Sequence, residues 1–145
     1  MIIDLNLKGK QVLIVGGGIE SSRKVEALLS QQCNITVVAE KVEKLIKDYA
    51  DKGKISLELI KIHNVDAINK FKTVDLILAT TDDRKLNREI VLFGKFHRCY
   101  VYAADDPQVS DFSHPSVINI DDIVQVAIST GGRSPLMGKS LREKV

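Results

Sequence analysis

Short apolar runs alternate with helical patterns along most of this chain. The runs number five and lie at residues 12–15, 35–39, 55–60, 74–79 and 99–104. Most of them lack polar alternation, which is typical of strands buried on both faces of a parallel sheet. We therefore predict five strands separated by helices, in an α/β fold with a doubly wound parallel sheet.

The stretches between these runs carry apolar residues at helical spacing. The spacing predicts one helix over residues 19–32, a second beginning near Val42 and a third from about Arg84. A shorter segment around Ile68 connects the third run to the fourth. In such folds ligands bind at the carboxyl ends of the strands, so the residues directly after each strand are the functional candidates.

The C-terminal residues break this alternation. Two short apolar runs, 117–120 and 123–129, predict two strands with no long helix between them. Ser134 is a good helix N-cap and Pro135 suits the first helical position, so a final helix begins there. We predict a short C-terminal β/helix extension over residues 113–145.

Three consecutive glycines follow the first strand: Gly16, Gly17 and Gly18, with Ile19 opening the next helix. Gly16 suits a tight turn, and Gly18 lets a phosphate approach the backbone closely. The third small position of this motif is Ser21. The N–H groups at the helix start and the positive end of its dipole would face a pyrophosphate. The motif predicts a dinucleotide site, and the alternative is a plain strand-to-helix turn.

The second predicted strand ends in an acidic residue, Glu40, about 20 residues after the glycines. A carboxylate at this position accepts hydrogen bonds from an adenosine ribose and repels a 2′-phosphate. We therefore expect NAD rather than NADP. The alternative is that Glu40 caps the following helix.

Polar residues also follow the fourth strand. Thr80, Thr81 and Asp82 come directly after it, where small polar groups can meet the ribose or the nicotinamide of the cofactor. The alternative is that Thr81 or Asp82 caps the next helix, with Asn87 in solvent. The two roles are compatible.

Composition and charge narrow the possible functions. Apolar residues make up 44% of the chain and charged residues 28%, both ordinary for a globular protein. A formal charge of +2 is too small to favour a nucleic-acid partner. We find no membrane-spanning run and no signal peptide, so we expect a cytoplasmic protein without a membrane partner. Cys33 and Cys99 precede separate strands, which favours reduced thiols, and no ligand spacing predicts a metal site.

Several motifs occur in one order along the chain: VLIVGGGIESSRKVEALL, ITVVAE, LILATTDDRKLN, DDPQVSDFSHPSVI and VAISTGGRSPLMGKSLREK. Together they resemble the precorrin-2 dehydrogenase family, the NAD-dependent domain of siroheme synthases, which oxidises precorrin-2 to sirohydrochlorin. The resemblance covers essentially the whole chain. It implies a Rossmann-like sheet in an NAD-binding domain over residues 1–112, NAD as the hydride acceptor and a tetrapyrrole substrate.

The resemblance also implies a catalytic residue. In this family the proposed general base is an aspartate that ends the fifth strand before a proline. The matching residue here is Asp105, and its neighbour Asp106 is the less favoured choice. Tyr102 stands where the family has asparagine. By residue type alone, the same Asp-Asp-Pro segment is equally typical of a turn.

The segment STGGRSP combines backbone N–H groups, hydroxyls and a guanidinium, a set that suits a carboxylate. Because precorrin-2 carries many carboxylates, we expect substrate contacts at Ser129, Thr130, Gly131, Gly132 and Arg133. His114, a few residues beyond Asp105, is a further candidate. The alternative for Arg133 is a solvated basic helix end.

Oligomeric state is predicted from the end of the sequence. Family members continue past the LREK segment into a helical dimerisation region, so we expect the extension to be shortened here. Met137, Leu141 and Val145 fall on one face of the last helix. An apolar stripe of this kind favours association, and we predict a homodimer.

Two other functions are compatible with these residues. One is a regulatory Rossmann module that senses NAD, and the other is a bifunctional enzyme that also inserts iron into sirohydrochlorin. A sensor would need the glycine turn and Glu40 but would have no use for Asp105 or for STGGRSP.

Overall fold

Five parallel strands form one sheet in the computed structural model, which describes all residues from Met1 to Val145. The strands are β1 (Gln11–Val15), β2 (Asn34–Ala39), β3 (Ser56–Leu59), β4 (Leu76–Ala79) and β5 (Tyr100–Ala103). Their order across the sheet is β3-β2-β1-β4-β5, and every neighbouring pair is parallel. The predicted doubly wound, Rossmann-like sheet is confirmed. Strand order reverses at β1, which places the ligand crevice at its carboxyl end.

Helices connect the strands. They are α1 (Ile19–Leu29), α2 (Lys44–Asp51), a 3₁₀ helix (Val65–Phe71), α3 (Arg84–Phe96) and, near the C-terminus, α4 (Pro135–Lys144). α1 ends earlier than residue 32 because the chain turns there, with Gln32 at a φ of 57°. The segment around Ile68 forms the 3₁₀ helix, whose start is capped by Asn64 through a 2.9 Å bond from the Asp66 N–H.

β1 lies at the centre of the core. Leu13, Ile14 and Val15 are completely buried, and each contributes roughly 1.5–3 kcal/mol through burial. Leu13 and Val15 pack in one cluster with Ile77 of β4 and Ile90 of α3. Because successive side chains of a strand point to opposite faces, Ile14 faces the other side of the sheet. Burial on both faces explains why β1 reads as an unbroken apolar run.

The outer edge of β5 is covered by the loop that follows it. The Val101 N–H donates to Oδ2 of Asp111 at 2.9 Å, and the Asp111 N–H donates to the Val101 carbonyl at 2.8 Å. The Ala103 N–H donates to Oγ of Ser110 at 2.9 Å. These bonds satisfy the polar groups that an edge strand leaves unpaired. They also fix the course of the chain directly after Asp105.

The chain divides into two compact units. One spans Asn6–Asp111 and contains the parallel sheet. The other joins Phe112–Val145 with Met1–Leu5, and its hairpin of β6 (Ser116–Ile120) and β7 (Val124–Ile128) is antiparallel. α4 packs against both strands of this hairpin.

The C-terminal unit depends on local turn and cap geometry. Asp121 and Asp122 both have positive φ, 52° and 54°, as the central residues of a type I′ turn do. α4 begins as predicted, with Oγ of Ser134 accepting the Met137 N–H at 3.2 Å. Met137 and Leu141 are exposed. The homodimer stays a prediction.

Both cysteines are free thiols. The strands that follow them, β2 and β5, are separated by β1 and β4. Burial is the main cause that raises the pKa of Cys33 and of Cys99 above the ordinary thiol value. Neither thiol is therefore activated as a nucleophile.

None of the helices combines the length and apolar character needed to cross a membrane.

α3 lies close to β5 because Gly94 has no side chain. A Cβ at Gly94 would collide with Cγ1 of the fully buried Val101. We expect Gly94→Ala to lower the free energy of unfolding by about 1–3 kcal/mol in urea denaturation, despite the higher helix propensity of alanine. Gly138→Ala in α4 is the matched control, since its Cβ would meet Oγ of Ser116 at an ordinary 3.4 Å. An equal loss in both variants would contradict the close contact.

Candidate functional site

A cavity of about 450 Å³ opens at the carboxyl ends of β1, β2 and β4. This volume is within the usual range for a small-molecule site. The cavity brings together seven of the residues that the sequence predicts to bind the cofactor: Gly16, Gly17, Gly18, Glu40, Thr80, Thr81 and Asp82. Ile19, the eighth, opens α1 beside them with an exposed side chain and is not part of the cavity wall.

The three glycines of the turn meet different surroundings. Gly16 has a φ of 128°, and a Cβ there would lie 2.7 Å from the carbonyl oxygen of Thr80. A Cβ on Gly17 would collide with the carbonyl oxygen of Lys41. A Cβ on Gly18 would have no neighbour within 4 Å. Gly16 and Gly17 therefore allow close backbone contact within the protein, and Gly18 is the position open to a ligand.

The loop after β2 is attached to this turn. The Glu43 N–H donates to the Gly17 carbonyl at 2.8 Å. Glu43 occupies the N-cap position of α2, so Glu40 does not cap that helix. The exposed carboxylate of Glu40 instead lines the cavity, beside Lys41.

A buried hydroxyl pair lies beneath the turn. Oγ1 of Thr80 donates to the Val15 carbonyl at 3.0 Å, and Ser21 donates to the same Oγ1 at 2.7 Å, since the proton of Thr80 is already used. Ser21 is completely buried. The small third position of the glycine motif thus joins α1 to β1 and β4 by hydrogen bonds as well as by close packing.

The start of α3 differs from the expected capping. Asp83 is the N-cap, and its Oδ1 accepts the Leu86 N–H at 3.1 Å. Neither Thr81 nor Asp82 has this role, because the N-cap lies two residues after Thr81 and one residue after Asp82. The Thr81 hydroxyl donates instead to Oδ1 of Asn87 at 2.6 Å.

Asn87 is a site residue that the sequence interpretation left in solvent. It is only 1% exposed, and its Nδ2 donates to Oδ1 of Asp105 at 3.1 Å. The sequence did contain a signal, because Asn87 stands three residues before Ile90 and four before Val91, on the apolar face of α3. A polar residue on a buried helix face requires hydrogen-bond partners.

Asp105 and Asp106 have different surroundings. The Asp105 side chain is 27% exposed, and its Oδ2 lies 3.4 Å from Nε of Arg84. Asp106 pairs with Arg88 at 3.6 Å, and its Oδ1 accepts the Gln108 N–H within the turn. The segment is therefore a turn, as the alternative reading held, and it also presents Asp105 next to the start of α3.

Tyr102 points away from this group of side chains. Its neighbours along β5, Val101 and Ala103, pack with α3, so alternation puts Tyr102 on the opposite face of the sheet. There the Lys24 ammonium lies 4.7 Å from its ring centre. Burial, and secondarily the Glu20 carboxylate, raise the pKa of Tyr102 above its ordinary value. The phenol is therefore protonated at neutral pH.

The C-terminal unit has a smaller cavity, of about 120 Å³. Its lining includes four of the predicted substrate residues: His114, Ser129, Thr130 and Gly132. Gly131 and Gly132 have φ values of 63° and 79°, so this turn requires glycine. Arg133 is exposed and is not in the cavity wall. No group of three or more His, Cys, Asp or Glu side chains is arranged to hold a metal ion.

Known proteins share this sequence and fold. The family described as putative NAD(P)-binding matches residues 3–116. The chain is 34% identical to a siroheme synthase of Nitrosococcus oceani and 36% identical to one of Methylococcus capsulatus, in each case over 99% of this chain. It spans only 30% and 29% of those two relatives. The solved structure of SirC, precorrin-2 dehydrogenase, has a TM-score of 0.78 and 30% identity, over 99% of this chain and 68% of that one.

The parallel sheet and the glycine-lined cavity define a Rossmann-type dinucleotide-binding protein. The match to the NAD(P)-binding family indicates that the cofactor of this chain is a nicotinamide dinucleotide. The chain belongs to this family, together with precorrin-2 dehydrogenase and the siroheme synthases, and the resemblance of its motifs is confirmed.

A Cβ at Gly18 would contact no other part of the protein, so a substitution there can change ligand binding without changing the fold. We expect Gly18→Ala to weaken dinucleotide binding by at least about tenfold, because its Cβ occupies the approach to the helix N-terminus. Its melting temperature should stay close to that of the unsubstituted chain. Gly17→Ala should lower both the dinucleotide affinity and the melting temperature, because its Cβ would collide with the Lys41 carbonyl oxygen. Titration with NADH and thermal melting measure the two effects, and unchanged affinity in Gly18→Ala would contradict a phosphate site at this turn.

Proposed function

We propose that this chain catalyses the NAD-dependent oxidation of precorrin-2 to sirohydrochlorin. The substrate loses a hydride and a proton, which is a two-electron oxidation. The observation that carries the proposal is the Asp105 carboxylate, held by Asn87, whose side chain also holds the cavity residue Thr81. A proton acceptor thus lies next to a dinucleotide site.

The residues of the cavity fit a dinucleotide. Gly18 is free of neighbours at the start of α1, where backbone N–H groups and the helix dipole favour a diphosphate. Glu40 is exposed at the end of β2, where a ribose would lie. The bound nicotinamide supplies the hydride acceptor. Thr81 and Asp82, which line the cavity after β4, would hold the nicotinamide end of the cofactor.

Glu40 supports NAD over NADP. A carboxylate accepts hydrogen bonds from the two ribose hydroxyls and repels a 2′-phosphate. Lys41 and Lys61 also line the cavity, and of its three carboxylates, Glu40, Glu43 and Asp82, Glu40 is the one that directly follows β2, where the ribose would lie. We therefore assign the preference for NAD to Glu40.

Asp105 acts as the general base in this mechanism. Its side chain is partly accessible, so a substrate can reach it, and its position after β5 suits the nicotinamide half of a Rossmann site. We further propose that the substrate carboxylates are bound by Arg133, His114 and the turn of Ser129, Thr130, Gly131 and Gly132. The Gly131 N–H donates to Oγ of Ser129 at 3.1 Å and the Ser134 N–H donates to Oγ1 of Thr130 at 3.0 Å, which leaves the two hydroxyl protons to donate to a carboxylate.

Turnover is tested by mixing the protein with NAD⁺ and precorrin-2 and following absorbance. We expect oxidation by the unsubstituted chain and a fall in kcat of about 100-fold or more in Asp105→Asn, with NAD⁺ affinity retained. Asp106→Asn is the matched control, and its kcat should fall much less. Cofactor binding without oxidation would identify a sensing module instead. Full activity in Asp105→Asn would remove Asp105 from the mechanism.

Cofactor choice is tested at Glu40. Glu40→Ser removes the negative charge and leaves Lys41 in place, so the ratio of NADPH to NADH affinity should rise by at least about tenfold. Glu43→Ser, which changes another carboxylate of the cavity wall, is the control and should leave the ratio nearly unchanged. Fluorescence titration with both reduced cofactors measures the ratio. A preference for NADPH in the unsubstituted chain would contradict the assignment of Glu40.

A further inference from the structure

We propose that Asn87 is a positioning residue that holds Oδ1 of Asp105, so that Oδ2 is the atom that receives the proton from the substrate. The inference rests on the proposed function, because it gives Asn87 a role in turnover only if Asp105 is the base.

The Asn87 amide uses all of its hydrogen-bonding capacity. One N–H donates to the Thr81 carbonyl at 2.9 Å and the other to Oδ1 of Asp105 at 3.1 Å. Its oxygen accepts from the Thr81 N–H at 3.2 Å and from the Thr81 hydroxyl at 2.6 Å. A flipped amide would turn its oxygen towards the Asp105 carboxylate and its NH₂ group towards the Thr81 N–H. The orientation of Asn87 is therefore determined, and with it the position of Oδ1.

Packing alone does not account for an asparagine at this position. Asn87 lies on the buried face of α3, beside Ile90 and Val91, where an apolar side chain would fill the space without a polar group to satisfy. Apart from Thr81, the partner of its side chain is Asp105, on a different element of the fold. The amide thus joins a residue of the cofactor cavity to the carboxylate.

The two oxygens of Asp105 have unequal environments. Oδ1 accepts from an amide that is fixed and buried. Oδ2 faces the Arg84 guanidinium at 3.4 Å, and the Arg84 side chain is 71% exposed. An exposed ion pair contributes little to stability and is readily displaced. Oδ2 is therefore the oxygen that a substrate can reach.

A double-mutant cycle tests the inference. Asn87→Leu should lower kcat for precorrin-2 oxidation about 10- to 100-fold in the unsubstituted chain, because the carboxylate loses its fixed orientation. In the Asp105→Ala variant the same change should lower kcat less than about twofold, because no carboxylate remains to be oriented. Equal losses in both backgrounds would show that Asn87 acts through the fold and would overturn the inference.

Further variants keep the test decisive. Thermal melting identifies any loss of fold in Asn87→Leu, and Asn87→Ala then replaces it, since the smaller side chain removes the contacts with Thr81 and Asp105 without adding bulk or charge beside the carboxylate. The same non-additivity with Asp105→Ala is expected. Asn69→Leu, at an exposed asparagine of the 3₁₀ helix, is the control and should leave kcat unchanged. If the unsubstituted chain oxidises precorrin-2 but the losses in kcat are additive, this inference alone is overturned. If the unsubstituted chain does not oxidise precorrin-2, both the proposed function and this inference are overturned.

Discussion

The carboxyl ends of β1, β2 and β4 meet at one place because two successive residues after β1 have no Cβ. At Gly16 a Cβ would lie 2.7 Å from the Thr80 carbonyl oxygen, and at Gly17 it would collide with the Lys41 carbonyl. Any side chain at either position would force the loops after β2 and β4 away from the turn. The cavity exists in its present form because these backbone segments can touch.

Hydrogen bonds extend this contact outward from the turn. Thr80 is joined to Val15 and Ser21 below the glycines, and the next residue, Thr81, is joined to Asn87. Asn87 in turn holds Asp105, which follows β5. An unbroken set of short contacts therefore connects the glycine turn to a carboxylate that follows β5. In a parallel sheet, neighbouring strand ends lie at one edge, and these contacts fix which side chains meet there.

The sheet was predictable from the sequence because β1, β2 and β4 are buried on both faces and read as apolar runs, whereas the edge strands β3 and β5 are only partly buried. The element boundaries were less accurate, since they depend on local turns such as the one that ends α1 before Gln32. The glycine turn was also predicted, with Gly16 at the tight turn and Gly18 at the phosphate position, but the role of Gly17 was not. The clash that assigns Gly17 involves Lys41, which is adjacent only in the folded chain.

For the polar residues near α3 too, the sequence predicts the residue type but not the contact. Four consecutive polar residues, Thr80 to Asp83, could each cap a helix by type, and only the backbone geometry selects Asp83. Asn87 was detectable from its place on an apolar helix face. The hydrogen bond between Asn87 and Asp105 was not detectable, because pairing across two elements leaves no pattern in the sequence.

The most direct measurement is a crystal structure of the chain with NAD⁺ bound. The assigned dinucleotide site predicts the diphosphate at the N–H groups of Gly18 and Ile19, the adenosine ribose at Glu40, and the nicotinamide beside Thr81 on the side of Asp105. A dinucleotide bound elsewhere, or one in the reverse direction with its nicotinamide at Glu40, would contradict it.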